Sequence, residues 1–295
     1  MIQPLHKAII PAAGFGTRLF PATKAIKKEF FPIIDQDGLA KPAILVIVEE
    51  VLRSGIQEIG IIIQSQDHSL FEDFFKKPPS LELYHKLSAA SKQYSDYLQE
   101  IGEKITLIPQ KQQEGYGHAV YCAKEWVNHE PFLLLLGDHV YRSKINQSCA
   151  EQLVQNYQQH QTNVIGLTIV TEDILQKAGV ITGKWLKKNS LLSISQLVEK
   201  PTIDYARSHL HLPDMNKNEY LAVFGMYVLE SQIFDYLEDE IKNNQRLKGE
   251  FQLTTALDQL CQAQGMLGYM VQGQYFDIGM PEFYRQTVID FKMWS

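Results

Sequence analysis

The chain has 295 residues, of which 45% are hydrophobic and 21% charged, and a formal net charge of −6. This hydrophobic content is enough for a substantial core and excludes a disordered chain. The negative balance excludes a globally basic surface for nucleic acid. The three cysteines at positions 122, 149 and 261 are far apart. They therefore predict neither a zinc site nor a disulfide framework.

The N-terminal residues 1–6 lack the apolar core of a secretory signal, and no run of about 18 apolar residues occurs. The sequence therefore predicts a cytoplasmic protein with neither a membrane nor a nucleic-acid partner. No internal repeat, low-complexity tract or Pro/Gly-rich linker marks a boundary. We therefore expect a single domain over residues 1–295.

Apolar runs of strand length alternate with helix-length segments along the chain. This alternation predicts an α/β fold, with a mostly parallel sheet flanked by helices on both faces. Two late strands have no full helix between them, which predicts that the sheet is mixed. The predicted strands are Ala8–Pro11, Ile59–Ile63, Ile105–Ile108, Phe132–Leu136, Val164–Val170, Leu191–Val198 and Leu221–Val228. The predicted helices are Ala43–Arg53, Leu70–Phe75, Leu81–Ile101, Ala119–Val127, Ile145–His160, Ser231–Glu240, Leu253–Ala263 and Glu282–Lys292.

The first predicted strand runs directly into a loop of small residues. Such a loop lets backbone N–H groups approach an anion, and basic side chains behind it add charge for phosphate. Two familiar glycine loops do not fit, because no P-loop string occurs and position 19, which the dinucleotide fingerprint reserves for glycine, is Leu19. We predict a nucleoside phosphate site formed by Ala12, Ala13, Gly14, Gly16, Thr17 and Arg18, with Lys24, Lys27, Lys28 and Lys41 behind it. The alternative is an ordinary turn beside a solvated basic patch.

Three further segments carry candidate ligand contacts. Asp138 follows a buried strand at the sheet edge where α/β folds bind ligands, and its carboxylate suits Mg²⁺. Gln110 precedes Gly115, Gly117 and His118 at a predicted helix start, and its amide offers a donor and an acceptor to a pyrimidine. Glu199 and Lys200 end a strand and can meet a sugar hydroxyl and a phosphate. Each segment also has a purely structural interpretation: a strand-end turn for Asp138, a glycine-rich helix start for residues 110–118, and a surface ion pair for Glu199 and Lys200.

The order of these motifs resembles the sugar-1-phosphate nucleotidyltransferases. Their signature, Gly-x-Gly-Thr-Arg-x-x-Pro-x-Thr-Lys with a following Lys-Glu pair and proline, is matched by residues 14–24, Lys28-Glu29 and Pro32. The Gln110–Ala119 segment and Glu250–Thr254 are similar to elements of the uridylyltransferase branch. The chain departs from the pattern at Lys27, where a proline is usual, and in a longer turn at residues 35–40.

The resemblance implies a Rossmann-like nucleotidyltransferase fold, with a nucleotide-binding N-terminal part and a C-terminal part for the sugar and oligomer contacts. It implies an enzyme that converts UTP and glucose 1-phosphate to UDP-glucose and pyrophosphate. It also implies Mg²⁺ as the cofactor and assembly into a homodimer or homotetramer. Arg18, Lys28, Asp138 and Lys200 would be catalytic. Asp277 would join Asp138 at the metal, and Gly179 would join Glu199 and Lys200 at the sugar. The alternatives are dTTP or another sugar as substrate, or a catalytically weak regulatory protein that binds sugar nucleotides.

Overall fold

The structure is a computed structural model and describes residues 5–292. Residues 1–4 of the N-terminal segment considered above lie outside this range. Within it the chain forms thirteen strands and twelve α-helices. The strands are β1 (Lys7–Pro11), β2 (Pro32–Ile34), β3 (Ala40–Pro42), β4 (Glu58–Gln64), β5 (Ile105–Gln110), β6 (Phe132–Leu135), β7 (His139–Ser143), β8 (Val164–Thr171), β9 (Gly179–Lys187), β10 (Leu191–Glu199), β11 (Glu219–Leu229), β12 (Leu267–Met270) and β13 (Gly273–Asp277). The helices are α1 (Ala22–Ala25), α2 (Ala43–Arg53), α3 (His68–Lys76), α4 (Leu81–Lys86), α5 (Ala89–Glu103), α6 (Tyr116–Tyr121), α7 (Lys124–Val127), α8 (Cys149–His160), α9 (Ile203–His209), α10 (Ile233–Lys242), α11 (Leu253–Gln264) and α12 (Pro281–Asp290). None of these helices is long and apolar enough to span a bilayer.

Nine of the strands described here form one mixed sheet, in the order β5-β4-β1-β6-β11-β8-β12-β10-β9. The β5-β4-β1-β6 half is wholly parallel, as is the β8-β12 pair. The remaining neighbours in this order are antiparallel. The predicted mixed sheet between helices is therefore confirmed, with its parallel pairing concentrated in the N-terminal half.

Alternate side chains of the parallel strands enter two different cores. Ala8 and Ile10 of β1 pack with α2, α3 and α8, whereas Ile9 packs with α6, α10 and α11. Leu133 and Leu134 of β6 divide in the same way. A strand that is covered on both faces has a continuous run of apolar residues in its sequence, because successive side chains point to opposite faces and both faces are buried. The apolar runs of the sequence thus account for both helical layers.

Three predicted helices differ from the structure. The stretch Leu81–Ile101 is two helices, α4 and α5, because the Ser88 side chain accepts a hydrogen bond from Ser91 N and caps a new start. Ala119–Val127 is likewise divided into α6 and α7. The helix predicted from Ile145 begins at Cys149, where Ser148 is the N-cap.

A buried ion cluster joins the β2–β3 hairpin to the helices beside it. The Lys41 Nζ atom lies 2.8 Å from Asp35, 2.7 Å from Asp37 and 2.8 Å from Glu49. The Tyr94 hydroxyl of α5 donates to the other oxygen of Glu49 at 2.8 Å. Burial lowers the pKa of Lys41, but hydrogen bonds to the three carboxylates raise it well above its usual value. One lysine therefore neutralises carboxylates from the hairpin and from α2.

Replacing Lys41 by Met should destabilise the fold by about 3–5 kcal/mol, because the buried carboxylates lose their cation. Urea unfolding followed by circular dichroism measures this change. The matched control is Lys76→Met, since Lys76 is exposed and makes no ion pair within residues 5–292. Equal stabilities of the two variants would contradict the role given to the cluster.

Candidate active site

A cleft of about 1070 Å³ opens at the carboxyl ends of β1 and β6. It brings together residues that are far apart in the sequence and were predicted as site residues. Those in its lining are Ala13, Gly14, Gly16, Thr17, Arg18, Lys28, Gln110, Gly115, Asp138, Gly179, Glu199, Lys200 and Asp277. Three further candidates, Ala12, Gly117 and His118, are not part of the lining.

The glycine loop after β1 is held by polar contacts at both ends. The Gln64 amide donates to the carbonyl of Ala13 at 2.9 Å, and the Thr23 hydroxyl donates to that of Gly16 at 3.0 Å. Gly16 has a φ of 66°, and a Cβ there would lie 2.8 Å from the Thr23 side chain. A larger residue at this position would meet both backbone strain and a clash. Arg18 follows on the exposed side of the loop and lines the cleft.

The four lysines behind the loop have different surroundings. The Lys27 amine lies 2.9 Å from Asp67 and donates to the carbonyl of Gly14 at 3.0 Å. Lys24 is exposed and outside the lining, and Lys41 belongs to the buried cluster described above. Lys28 alone of the four lines the cleft. The prediction that all four crowd behind the loop is therefore wrong: Lys27 and Lys28 lie at the loop, whereas carboxylates of the hairpin and of α2 hold Lys41 in the separate cluster.

Lys28 forms an ion pair with Asp138, which follows β6. The Nζ atom lies 2.7 Å from Oδ2 of Asp138 and 3.9 Å from Glu29. Burial on its own would raise the pKa of Asp138, but the Lys28 amine and His139 hold it well below its usual range. Burial would lower the pKa of Lys28, and the carboxylates raise it instead. Both groups are therefore charged at neutral pH.

A second carboxylate, Asp277, lies beside Asp138 because β13 pairs with β7. In this antiparallel ladder Asp277 is opposite His139, the residue that follows Asp138. The His139 ring stacks on Tyr275 with centroids 4.6 Å apart. Burial raises the pKa of Asp277, and the charge of Asp138 raises it further. Two carboxylates with one nearby lysine thus face the same end of the cleft.

The space between the two carboxylates suits a small cation. A Cβ on Gly279 would lie 3.0 Å from Oδ1 of Asp277 and 3.1 Å from Oδ2 of Asp138. Within residues 5–292 no group of three or more acidic, His or Cys side chains could form a cage for a metal. Mg²⁺ often binds through one or two carboxylates together with substrate phosphates. The oxygen pair therefore fits Mg²⁺ brought together with a phosphate ligand.

Gln110, at the end of β5, is buried with its amide fixed by the protein. Its Nε2 atom contacts Nδ1 of His118 at 3.0 Å and donates to the carbonyl of Gly115 at 3.4 Å. Both N–H groups are thereby used, which leaves Oε1 to accept from a ligand. Gly115 has a φ of 117°, and a Cβ there would lie 2.6 Å from the carbonyl oxygen of Phe251. His118 therefore positions the amide from behind.

Glu199 ends β10 opposite Gly179 of β9, and Lys200 follows the strand. The Lys200 amine lies 3.1 Å from Oε1 of Glu199. Lys200 has a φ of 47°, which is uncommon for a lysine, and its backbone N donates to the carbonyl of Ala178 at 3.1 Å. This turn directs a carboxylate and an amine into one cleft.

Several lining residues were not predicted from the sequence. Thr254 of α11 donates to Oε2 of Glu199 at 2.8 Å. Lys177 and the α12 side chains Phe283, Gln286 and Asp290 also line the cleft. Of these five residues, Thr254 alone lies within a segment that the motifs had indicated, residues 250–254. The α12 side chains carry no local signal, because their role depends on where the helix packs.

Residues 7–291 match the model of a family described as nucleotidyl transferase. The chain belongs to this family. It is 36% identical to the UTP–glucose-1-phosphate uridylyltransferase 1 of Staphylococcus saprophyticus, over 98% of this chain and 93% of that protein. An apo UDP-glucose pyrophosphorylase structure has a TM-score of 0.82 and 31% identity, over 97% of this chain and 98% of the other. A UDP-glucose pyrophosphorylase complexed with UDP-glucose has a TM-score of 0.78 and 30% identity, over the same shares. The family and fold predicted from the motifs are therefore confirmed.

Glu29 should make the stability of the fold depend on pH. Its side chain is fully buried, neither carboxylate oxygen has a hydrogen-bond partner among the described residues, and burial raises its pKa from 4.5 to about 7. Between these values the folded state keeps a proton that the unfolded state has lost, so the free energy of unfolding falls as pH rises. From pH 4 to pH 8 the wild type should lose roughly 2–4 kcal/mol relative to Glu29→Gln.

Urea unfolding at both pH values measures this difference, and Glu103→Gln, at an exposed position, is the control. A constant difference between the wild type and Glu29→Gln across the range would contradict the assignment.

Proposed function

We propose that the chain catalyses transfer of the uridylyl group of UTP to glucose 1-phosphate, giving UDP-glucose and pyrophosphate. The observation that supports this most is one cleft holding the fixed amide of Gln110, the Lys28–Asp138 ion pair and the Glu199–Lys200 turn. These groups suit a base, a polyphosphate and a sugar phosphate respectively. Relatives and structural neighbours named for this activity cover almost the whole chain.

Gln110 selects the base through its acceptor oxygen. Because both amide N–H groups are bound to His118 and Gly115, Oε1 accepts from a ligand N–H. The N3 atom of uracil carries a hydrogen and satisfies this oxygen, whereas the N3 atom of cytosine presents a lone pair. An unsatisfied buried pairing costs roughly 1–3 kcal/mol, or about tenfold to a hundredfold in selectivity. The thymine methyl group is a weaker basis for discrimination.

The reaction joins two polyanions, so its rate depends on how well the site neutralises their charge and positions the reacting atoms. A phosphate oxygen of glucose 1-phosphate attacks the α-phosphorus of UTP in line. The new oxygen–phosphorus bond forms as the bond from that phosphorus to pyrophosphate breaks. No general base is required because the attacking oxygen is already an anion. Arg18 and Lys28 neutralise the triphosphate, and Lys200 holds the incoming sugar phosphate.

Mg²⁺ is the cofactor that fits this site, where Asp138 and Asp277 would hold it. When bound, it supplies positive charge to the phosphate oxygens and orients them. Lys28, which is paired with Asp138 at 2.7 Å, would share this carboxylate with the cation. Asp277 would add a second carboxylate ligand, from a different strand.

A pyrophosphate-release assay with a panel of nucleoside triphosphates and sugar 1-phosphates tests the proposal. UTP with glucose 1-phosphate should give the highest kcat/KM, followed by dTTP, with CTP, ATP and GTP far lower. Gln110→Leu should lower kcat/KM for UTP by about tenfold to a hundredfold and bring UTP and CTP close together. Gln112→Leu, at an exposed position outside the cleft, is the control. Equal use of ATP or GTP by the wild type would contradict the uridylyl assignment, and no turnover with any pair would indicate a binding protein.

Asp138→Asn should reduce kcat by about 10²-fold or more while leaving the fold stable, because it removes a charged oxygen ligand and keeps the side-chain shape. Turnover as a function of Mg²⁺, and Mn²⁺ binding followed by electron paramagnetic resonance with UTP present, are the measurements. Asp96→Asn, at an exposed position of α5, is the control. Turnover of Asp138→Asn near the wild-type level at limiting Mg²⁺ would count against the metal role.

A further inference from the structure

Helix α11 is hydrogen-bonded to β10 through three of its side chains, which are spaced four residues apart, about one helical turn. Thr254 donates to the Glu199 carboxylate at 2.8 Å, and the Asp258 carboxylate accepts from the backbone N of Leu197 at 3.0 Å. The Gln262 amide donates to the carbonyl of Ser195 at 2.7 Å. Each step of four residues along the helix therefore matches a step of two residues back along the strand.

This match follows from the dimensions of the two elements. Four helical residues rise about 6 Å, and two strand residues rise about 6.6 Å. A helix running antiparallel to the strand can therefore repeat the same contact three times. The two contacts away from the cleft, through Asp258 and Gln262, involve the β10 backbone. The third, at the cleft end, involves a side chain that points into the cleft.

Each carboxylate oxygen of Glu199 therefore has a protein partner. Oε2 accepts from Thr254, and Oε1 lies 3.1 Å from the Lys200 amine. A carboxylate oxygen has two lone pairs, so each oxygen keeps one for a ligand hydroxyl. Lys200 comes from a turn that has a left-handed residue and is fixed by its own backbone hydrogen bond. Thr254 is the partner that comes from outside this turn.

The start of α11 is also joined to the segment that carries Gly115. The backbone N of Phe251 donates to Glu114, and the carbonyl of Phe251 accepts from Gly117, both at 2.9 Å. Thr254 follows three residues later. The position of its hydroxyl is therefore set from one side by the loop around Gly115 and from the other by the Asp258 and Gln262 contacts.

We propose that Thr254 is a positioning residue that orients Glu199 toward the hydroxyls of the sugar phosphate. This inference rests on the proposed function and assigns the residue that makes its sugar site selective. Without the Thr254 hydroxyl, the carboxylate can rotate about its side-chain bonds and turn toward Lys200. The sugar then loses an oriented acceptor, while the base and triphosphate contacts remain.

Thr254→Val, which keeps the shape and removes the hydroxyl, tests this inference. We expect the KM for glucose 1-phosphate to rise about tenfold, the loss of one oriented hydrogen bond, with the KM for UTP unchanged within twofold. Thr254→Ser should restore the wild-type KM. Thr255→Val is the matched control, because Thr255 is the next residue, is exposed and has no side-chain hydrogen bond within the described residues. Thermal unfolding verifies that each variant is folded.

A double-mutant cycle with Glu199→Ala separates positioning from a general packing effect. If Thr254 acts through Glu199, adding Thr254→Val to Glu199→Ala should raise the KM for glucose 1-phosphate no further. An additive effect, an equal rise in the KM for UTP, or a Ser variant as impaired as the Val variant would each overturn the inference. Failure of the proposed function is distinct, since it appears in the wild type as an absence of UDP-glucose formation.

Discussion

The partly buried ion pair between Lys28 and Asp138 is the contact on which the arrangement of the cleft depends. A lone buried carboxylate costs several kcal/mol of free energy, and here a second carboxylate, Asp277, lies beside the first. The Lys28 amine, 2.7 Å from Asp138, supplies the compensating charge. Since Lys28 follows the glycine loop and Asp138 follows β6, the pair also joins two segments that are 110 residues apart. The same contact therefore balances charge and places the loop over the cleft.

This balance is consistent with the proposed binding of two polyanions by a protein with a net charge of −6. The cationic groups that face the cleft are few, and the surrounding carboxylates have partners that limit their repulsion. Lys41 neutralises carboxylates away from the cleft, and Lys27 pairs with Asp67. The lysines and arginines that line the cleft are Arg18, Lys28, Lys144, Lys177 and Lys200. Of these, we propose Arg18, Lys28 and Lys200 as the phosphate contacts.

The sequence predicted the parts of the molecule whose signals are local. The apolar runs predicted the central strands because both of their faces are buried, and the residues around Gly14 and Gly16 predicted the loop. The pairing of β7 with β13, which brings Asp277 to Asp138, has no such signal, since its paired residues are 130 to 138 positions apart in the sequence. The division of α4 from α5 depends on a single capping serine within a polar stretch. For Gln110, the sequence indicated a donor and an acceptor, but the His118 contact that uses the donor depends on tertiary structure.

The proposed base and sugar sites are also mechanically related, because one short segment contacts both. Residues 250–254 pair with the loop around Gly115 through the backbone of Phe251, and Thr254 contacts Glu199. Beyond this segment, α11 is fixed to β10 by Asp258 and Gln262, so it has little freedom to shift. A displacement of the loop around Gly115 would therefore be resisted by the contacts that hold α11. In the proposed reaction, which requires in-line geometry, such a rigid connection would keep the attacking oxygen aligned with the α-phosphorus.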